Sequence, residues 1–185
     1  KSGGRECIAA TSLDELLALN PDILVEAANP AAMKELAVKT LENGTSIVTL
    51  SIGALADNNL LEKIKSAANA NGSKVYIASG ATGGFDVLRT ATLMGNATAS
   101  FFNEKGVREL RGSHHYNSGM ENENQTVFSG TAREAINTFP TGLNVAVAAS
   151  LATVGPEKLQ VTRESPPNFP GDRQRVEITN DEVPA

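Results

Sequence analysis

The sequence predicts an α/β fold: a parallel sheet covered by helices over residues 1–82, then an α+β unit with a mixed sheet over residues 83–185. Three observations lead there. Short apolar runs rich in β-branched residues recur at 22–28, 46–51 and 74–79. Helical patterns separate them. After Gly84 that alternation stops, and strand-like segments come in pairs.

Pro21 precedes the first run, which is too short for a helix and reads as a strand. Residues 30–43 carry Met33, Leu36, Ala37 and Leu41 on one helical face and stop at Asn43-Gly44. The second strand lies between Gly44 and Gly53. Residues 57–71 carry Leu60, Leu61, Ile64, Ala67 and Ala68, with Asp57 as N-cap and Asn71-Gly72 as the stop. The third strand ends at Gly80. Short apolar strands joined by helices give a parallel sheet covered on both faces, with right-handed crossovers. Beyond Gly84, residues 85–94, 131–139 and 144–154 read as helices. Residues 97–103, 124–129, 157–164 and 173–179 read as strands, forming two hairpin-like pairs. Residues 105–123 read as polar and irregular, and 166–170 as a proline-rich loop.

Composition narrows the function. The chain has 185 residues, a net charge of −5, 41% hydrophobic and 20% charged residues. That length suits one full domain or two small ones. No Trp, two Tyr and six Phe leave an aliphatic core. The acidic balance argues against a nucleic-acid partner, which a basic patch would mark. A single cysteine, Cys7, excludes an internal disulfide or a cysteine metal site, and no metal is expected. No apolar run reaches about 18 residues, so no membrane is expected as a partner. No secretory leader is read, and a cytoplasmic location is expected.

In open α/β sheets, ligands bind beyond the carboxyl ends of the strands. Small-residue clusters stand at all three ends: Ala27-Ala28-Asn29-Pro30, Ser51-Ile52-Gly53-Ala54 and Ser79-Gly80-Ala81-Thr82-Gly83-Gly84. Small residues let backbone approach a flat ring or a phosphate, and they also suit tight turns. The Gly-x-Gly-x-x-Gly turn of dinucleotide binding is absent, and Gly3-Gly4 does not replace it. The expected architecture is the C-terminal part of a Rossmann-type parallel sheet followed by an α+β mixed-sheet domain; either the fold is not a nucleotide binder, or the sequence is a fragment lacking the first βαβ unit.

The clusters resemble those of the L-aspartate dehydrogenases. The resemblance rests on Val25-Glu26-Ala27-Ala28, on the run from Ser51 to Asp57, on the run from Ser79 to Asp86, on Val127 to Ala132 with Glu134-Ala135, and on Phe139-Pro140 followed by Asn144-Val145-Ala146. Their order and spacing match over roughly residues 22–162, and the family's first segment and C-terminal tail are not matched. The resemblance implies a cytoplasmic homodimer of amino-acid metabolism and NAD biosynthesis. It implies NAD or NADP as cofactor, an amino-acid or dicarboxylate substrate, and hydride removal from the α-carbon of aspartate to give iminoaspartate. Ala81 and Asn144 would line the cofactor site, with Ser51 and Gly53 close by; Ala28, Asn29, Ala54, Ser79 and Gly80 share those strand-end clusters. Asn144 also reads as the N-cap of the helix that follows, and both roles can hold together.

The family also carries Asp-Pro, then Asn-x-His, whose histidine moves the proton. Pro166-Pro167 and Asp172-Arg173-Gln174 stand at those places here. Gln174 thus occupies the catalytic histidine's position, and Lys105 stands where the family has a lysine at a strand end. Glutamine has no proton to shuttle at neutral pH. Three functions follow: an aspartate dehydrogenase, a nucleotide- or ligand-binding homologue without proton transfer, and an oligomerisation scaffold. His114 and His115 read as a solvated pair, and Arg173 and Arg175 as one strand face that is solvated or turned to a dicarboxylate. Because the pyrophosphate normally rests on the helix after the missing turn, calorimetry on this chain should give NADH affinity weaker than micromolar. Micromolar binding would overturn that expectation.

Overall fold

The computed structural model describes residues 7–140 and 142–182, so Gly3 and Gly4 lie outside the described residues. Two compact units emerge, one formed by residues up to Ala54 with Asn58–Ala78, the other by Leu55–Asp57 with the chain from Ser79 onward.

In the first unit, β1 (Ile23–Glu26), β2 (Ser46–Thr49) and β3 (Val75–Ile77) pair in parallel in that order. A short helix α1 (Leu13–Leu17) precedes them, capped by Ser12; its five residues are too few to show a helical period in sequence. Helices α2 (Pro30–Glu42) and α3 (Asn58–Asn71) make the crossovers and bury Met33, Ala37, Leu41, Ile64 and Ala67. Asp57 stands immediately before α3, and a 3₁₀ turn over Ile52–Ala56 leads up to it. Ile23, Val25 and Tyr76 remain about half exposed or more, so this sheet shows an apolar face that the expected two-sided cover does not reach.

The second unit contains α4 (Phe85–Leu93), β4 (Thr98–Lys105), β5 (Gln125–Thr131), α5 (Ala132–Thr138), α6 (Asn144–Ala152), β6 (Gln160–Ser165) and β7 (Asp172–Thr179). Its sheet order is β5-β6-β4-β7. The expected hairpin-like pairs are therefore corrected. β4 does not pair with β5, nor β6 with β7; β6 runs parallel to β4 and antiparallel to β5, while β7 is antiparallel to β4. The reason lies in β4, whose alternate residues Ala99, Phe101 and Asn103 are buried and which needs a partner on each edge. α5 and α6 lie in the connection between β5 and its antiparallel neighbour β6. α5 opens with a reciprocal capping box between Thr131 and Glu134, and Ala146 to Ser150 of α6 are wholly buried. The stretch 105–123 is not merely irregular: it holds two 3₁₀ turns and buries Val107, Leu110 and Met120 in a small cluster.

Gly106 closes β4 against the proline-rich loop. A Cβ there would lie 2.0 Å from the carbonyl oxygen of Phe169. Backbone cannot yield as a flexible side chain does. Gly106→Ala should therefore cost about 1–3 kcal/mol, the ordinary penalty of forced overpacking, read as a lower urea midpoint. An unchanged midpoint would mean that the 166–171 loop is free to move.

Candidate functional site

Parallel pairing in the first unit brings the ends of β1 and β2 together around one side chain. Glu26 is 3% exposed. Its Oε1 accepts from Ala28 N at 2.8 Å, Asn29 N at 3.2 Å and Ser51 Oγ at 2.9 Å. Its Oε2 accepts from Thr49 Oγ1 at 2.8 Å and Ser51 N at 3.3 Å. The carboxyl group thus stitches two strand-end turns. Ser51 spends its hydroxyl on Glu26, and Asn29 caps α2 by accepting from Ala32 N. Gly53 and Ala54 are buried in the 3₁₀ turn, and Ala28 follows β1 with its N–H on Glu26. Sequence reasoning missed Glu26; the available signal was an acidic residue closing an otherwise apolar strand.

The remaining candidates lie in the second unit. Ser79, Gly80 and Ala81 form an exposed turn. Gly80 takes φ +67°, and a Cβ on it would lie 3.3 Å from Val145 Cγ2. The turn therefore rests on the first residues of α6. Asn144 is the first residue of that helix, and Leu143 holds the N-cap position, which corrects the capping expectation. Thr82 donates from Oγ1 to Gln174 Oε1 at 2.9 Å, and Gln174 Nε2 reaches Asp172 Oδ1 at 3.4 Å. Asp172 also accepts from Asn103 Nδ2 at 2.6 Å and lies 3.7 Å from Lys105 Nζ. Lys105 has Glu109 on its other side at 3.8 Å, and its side chain is only 22% exposed. One polar chain thus joins Thr82, Gln174, Asp172, Asn103 and Lys105.

Sheet register explains the grouping. Phe128, Arg163, Asn103 and Gln174 stand side by side across all four strands, on the covered face. Alternation sends Glu104, Arg173 and Arg175 to the other face. There Arg173 pairs with Glu104 at 2.8 Å, Arg175 pairs with Glu177 at 3.1 Å and lies over the Phe102 ring, and both arginines are about two-thirds exposed. They form the solvated alternative and do not join Lys105.

On the covered face, a cavity of about 410 Å³ is lined by Lys105, Glu109, His114, His115, Phe139 and Arg163, among others. His115 corrects the expectation of a solvated pair. His114 is exposed, but His115 is half-buried, stacks 4.5 Å from the Phe139 ring and has its Nε2 buried without a partner. Burial pushes its imidazole below the ordinary histidine range, and the neighbouring His114 and Arg163 add to that. Sequence reasoning also missed Arg163, which interrupts no pattern in a strand otherwise read from its apolar residues. Among the described residues, no cluster of three or more His, Cys, Asp or Glu side chains could hold a metal ion, and no helix is long and apolar enough to cross a membrane. Cys7 is exposed and free.

Residues 2–78 match the family model of the homoserine dehydrogenase NAD-binding domain, and residues 86–184 match the aspartate dehydrogenase C-terminal model. The chain belongs to the aspartate dehydrogenase family. It is 34% identical over 168 residues to an L-aspartate dehydrogenase of Methanococcus maripaludis, covering 89% of this chain and 62% of that one. L-aspartate dehydrogenase 2 of Bordetella bronchiseptica is 34% identical over 170 residues, covering 90% and 63%. The crystal structure of aspartate dehydrogenase from Thermotoga maritima matches with a TM-score of 0.76 at 28% identity, covering 87% of this chain and 65% of that one. The chain spans less than two thirds of the length of these family members.

Within this aspartate dehydrogenase family member, Glu26 organises the strand-end turns of the first unit. A single buried donor left unpaired costs about 1–3 kcal/mol, and Glu26→Ala orphans several. A loss of at least about 3 kcal/mol is expected, lowering the thermal midpoint by roughly 6–12 °C. Glu26→Gln should recover only part of that, since one acceptor becomes a donor facing donors. Full recovery by Gln would mean that the carboxyl group is not needed.

Proposed function

We propose that this protein is a nicotinamide-dependent oxidoreductase acting on the amino-bearing carbon of L-aspartate or a close relative. Family membership supports the reading. The observation that carries it is the Thr82–Gln174 hydrogen bond, which ties the 79–84 turn to the strand position at which the family resemblance implies the catalytic histidine.

The residues fit a nicotinamide ring. Gly80 leaves bare backbone beside Val145, and Ala81 adds only a methyl group to an exposed turn. Asn144, the first residue of α6, is the residue that the family resemblance sets at the cofactor site. Within the first unit by itself, Gly53 and Ala54 are buried in the 3₁₀ turn, and the Ser51 and Asn29 side chains shape their own turns. The bound cofactor, NAD or NADP, would accept the hydride released from the substrate α-carbon. Lys105 is the cation offered to a substrate carboxylate. Gln174 is held at both ends of its amide, so it orients and does not exchange a proton. That last point favours a second reading, in which the chain binds ligand without efficient turnover. A cytoplasmic homodimer serving NAD biosynthesis is the finer expectation carried by the family resemblance.

The test is aspartate-dependent reduction of NAD and of NADP at millimolar cofactor. Slow turnover is expected from the natural chain, and Gln174→His should raise it at least about tenfold. Full acid–base assistance is worth about 10²–10⁴-fold, and Pro166 at the family's Asp position keeps the gain lower. The rescued rate should follow one ionisation within about a unit of 6.5. Brisk turnover by the natural chain would assign the proton work to another group. NADH binding without turnover in either version would leave the binding reading.

A further inference from the structure

Arg163 is 4% exposed, yet no carboxylate among the described residues forms an ion pair with it. Its guanidinium lies 4.5 Å over the Phe139 ring, and its Nε is buried without a hydrogen-bond partner. Burial pulls its proton affinity down, while Asp172 and Glu109 act the other way. Those two carboxyl groups flank Lys105 instead, at 3.7 and 3.8 Å. Gly142 stands close: a Cβ there would lie 3.3 Å from Arg163 Nη1.

A buried cation with unfilled donors is costly unless an anion or a hydrogen-bond acceptor meets it. His115 lines the same cavity, packs on the same phenyl ring and likewise has a buried, unpartnered nitrogen. The two groups repel each other's charge, since Arg163 disfavours protonation of His115. A carboxylate in the cavity would satisfy both at once. A planar guanidinium suits this task, because its fork matches the two oxygens of a carboxylate.

We propose that Arg163, with His115 and Lys105, forms a carboxylate-binding site for the acidic side chain of a dicarboxylic amino acid or its 2-oxo acid. The inference rests on the oxidoreductase reading for the identity of the ligand. Arg163 holds the carboxylate, His115 donates to it, and Lys105 balances Glu109 and Asp172 at the cavity's edge. Phe139 keeps water from one side of the guanidinium. The site would thereby select a second carboxylate over an amide or a methyl group.

The chain has only two histidines, so their ring C–H resonances report the site directly. The 185-residue chain is titrated with L-aspartate, with succinate and with L-asparagine. L-aspartate and succinate should move the His115 signal in a saturable way and leave His114 nearly still, and L-asparagine should bind at least tenfold more weakly. The groups facing His115 are His114, Arg163, Lys105 and Glu109. In the free protein His115 should titrate below 6.5, so its folded form binds fewer protons than the unfolded chain between its own midpoint and 6.5. That contribution to stability is lost as pH falls through this window. A bound carboxylate should raise the midpoint, because it favours the protonated ring.

Arg163→Gln should weaken succinate at least tenfold, and Arg163→Lys should weaken it less. If Arg163→Gln does not fold, the comparison of succinate with L-asparagine on the natural chain still decides. Equal response to L-asparagine, no saturation with either dicarboxylate, or unchanged affinity in a folded Arg163→Gln would overturn the site. Aspartate oxidation with an unmoved His115 would also overturn it while leaving the oxidoreductase reading intact. A His115 that answers to succinate in a chain that reduces neither NAD nor NADP would keep the site and remove that reading.

Discussion

β4 carries the second unit's site because it hydrogen-bonds to β6 on one edge and to β7 on the other, and each pairing supplies a different neighbour. The parallel edge sets Arg163 beside Asn103, and the antiparallel edge sets Gln174 beside Asn103 and Asp172 beside Lys105. A slip of one residue in either register would turn these side chains to the solvated face. The apolar members of the same face, Phe101 and Val161, are fully buried and hold both registers in place. Core packing and site assembly are thus consequences of the same pairing.

The first unit solves a different problem with one side chain. Parallel strands end in turns whose N–H groups lack sheet partners, and buried donors must be satisfied. Glu26 meets the N–H groups of Ala28, Asn29 and Ser51 and the hydroxyls of Thr49 and Ser51. Ser51 and Asn29 spend their side chains on the shape of their own turns.

Polar groups left unfilled are concentrated on the covered face of the second sheet. Asn103 Oδ1, Arg163 Nε and His115 Nε2 are all buried without partners among the described residues. Folded proteins rarely leave such groups unmet. Their gathering along one cavity and its adjoining strand separates this surface from the opposite face, where Arg173 and Arg175 have acidic neighbours and open solvent.

Much of the fold was legible in the sequence because its signals are local. Three apolar runs of period and length suited to strands, two helical faces and the Asn-Gly stops define the first unit, and each depends on residues within one element. The turn at 79–84 was legible for the same reason, since glycine at Gly80 reflects a positive φ and close packing on Val145. Strand order in the second unit was not legible. Pairing of β4 with β6 and β7 spans more than fifty residues, and nothing in a strand's own composition names its neighbour. For that reason the hairpin-like arrangement failed, and Arg163 went unnoticed: within its own strand it is one charged residue among alternating ones. Only the sheet sets it against Phe139 and beside Asn103, where burial and the absence of an ion-pair partner give its charge a meaning. The sequence by itself determined the elements, the strand-end turns and the family; the long-range pairing, through its control of which side chains face one cavity, decided the site.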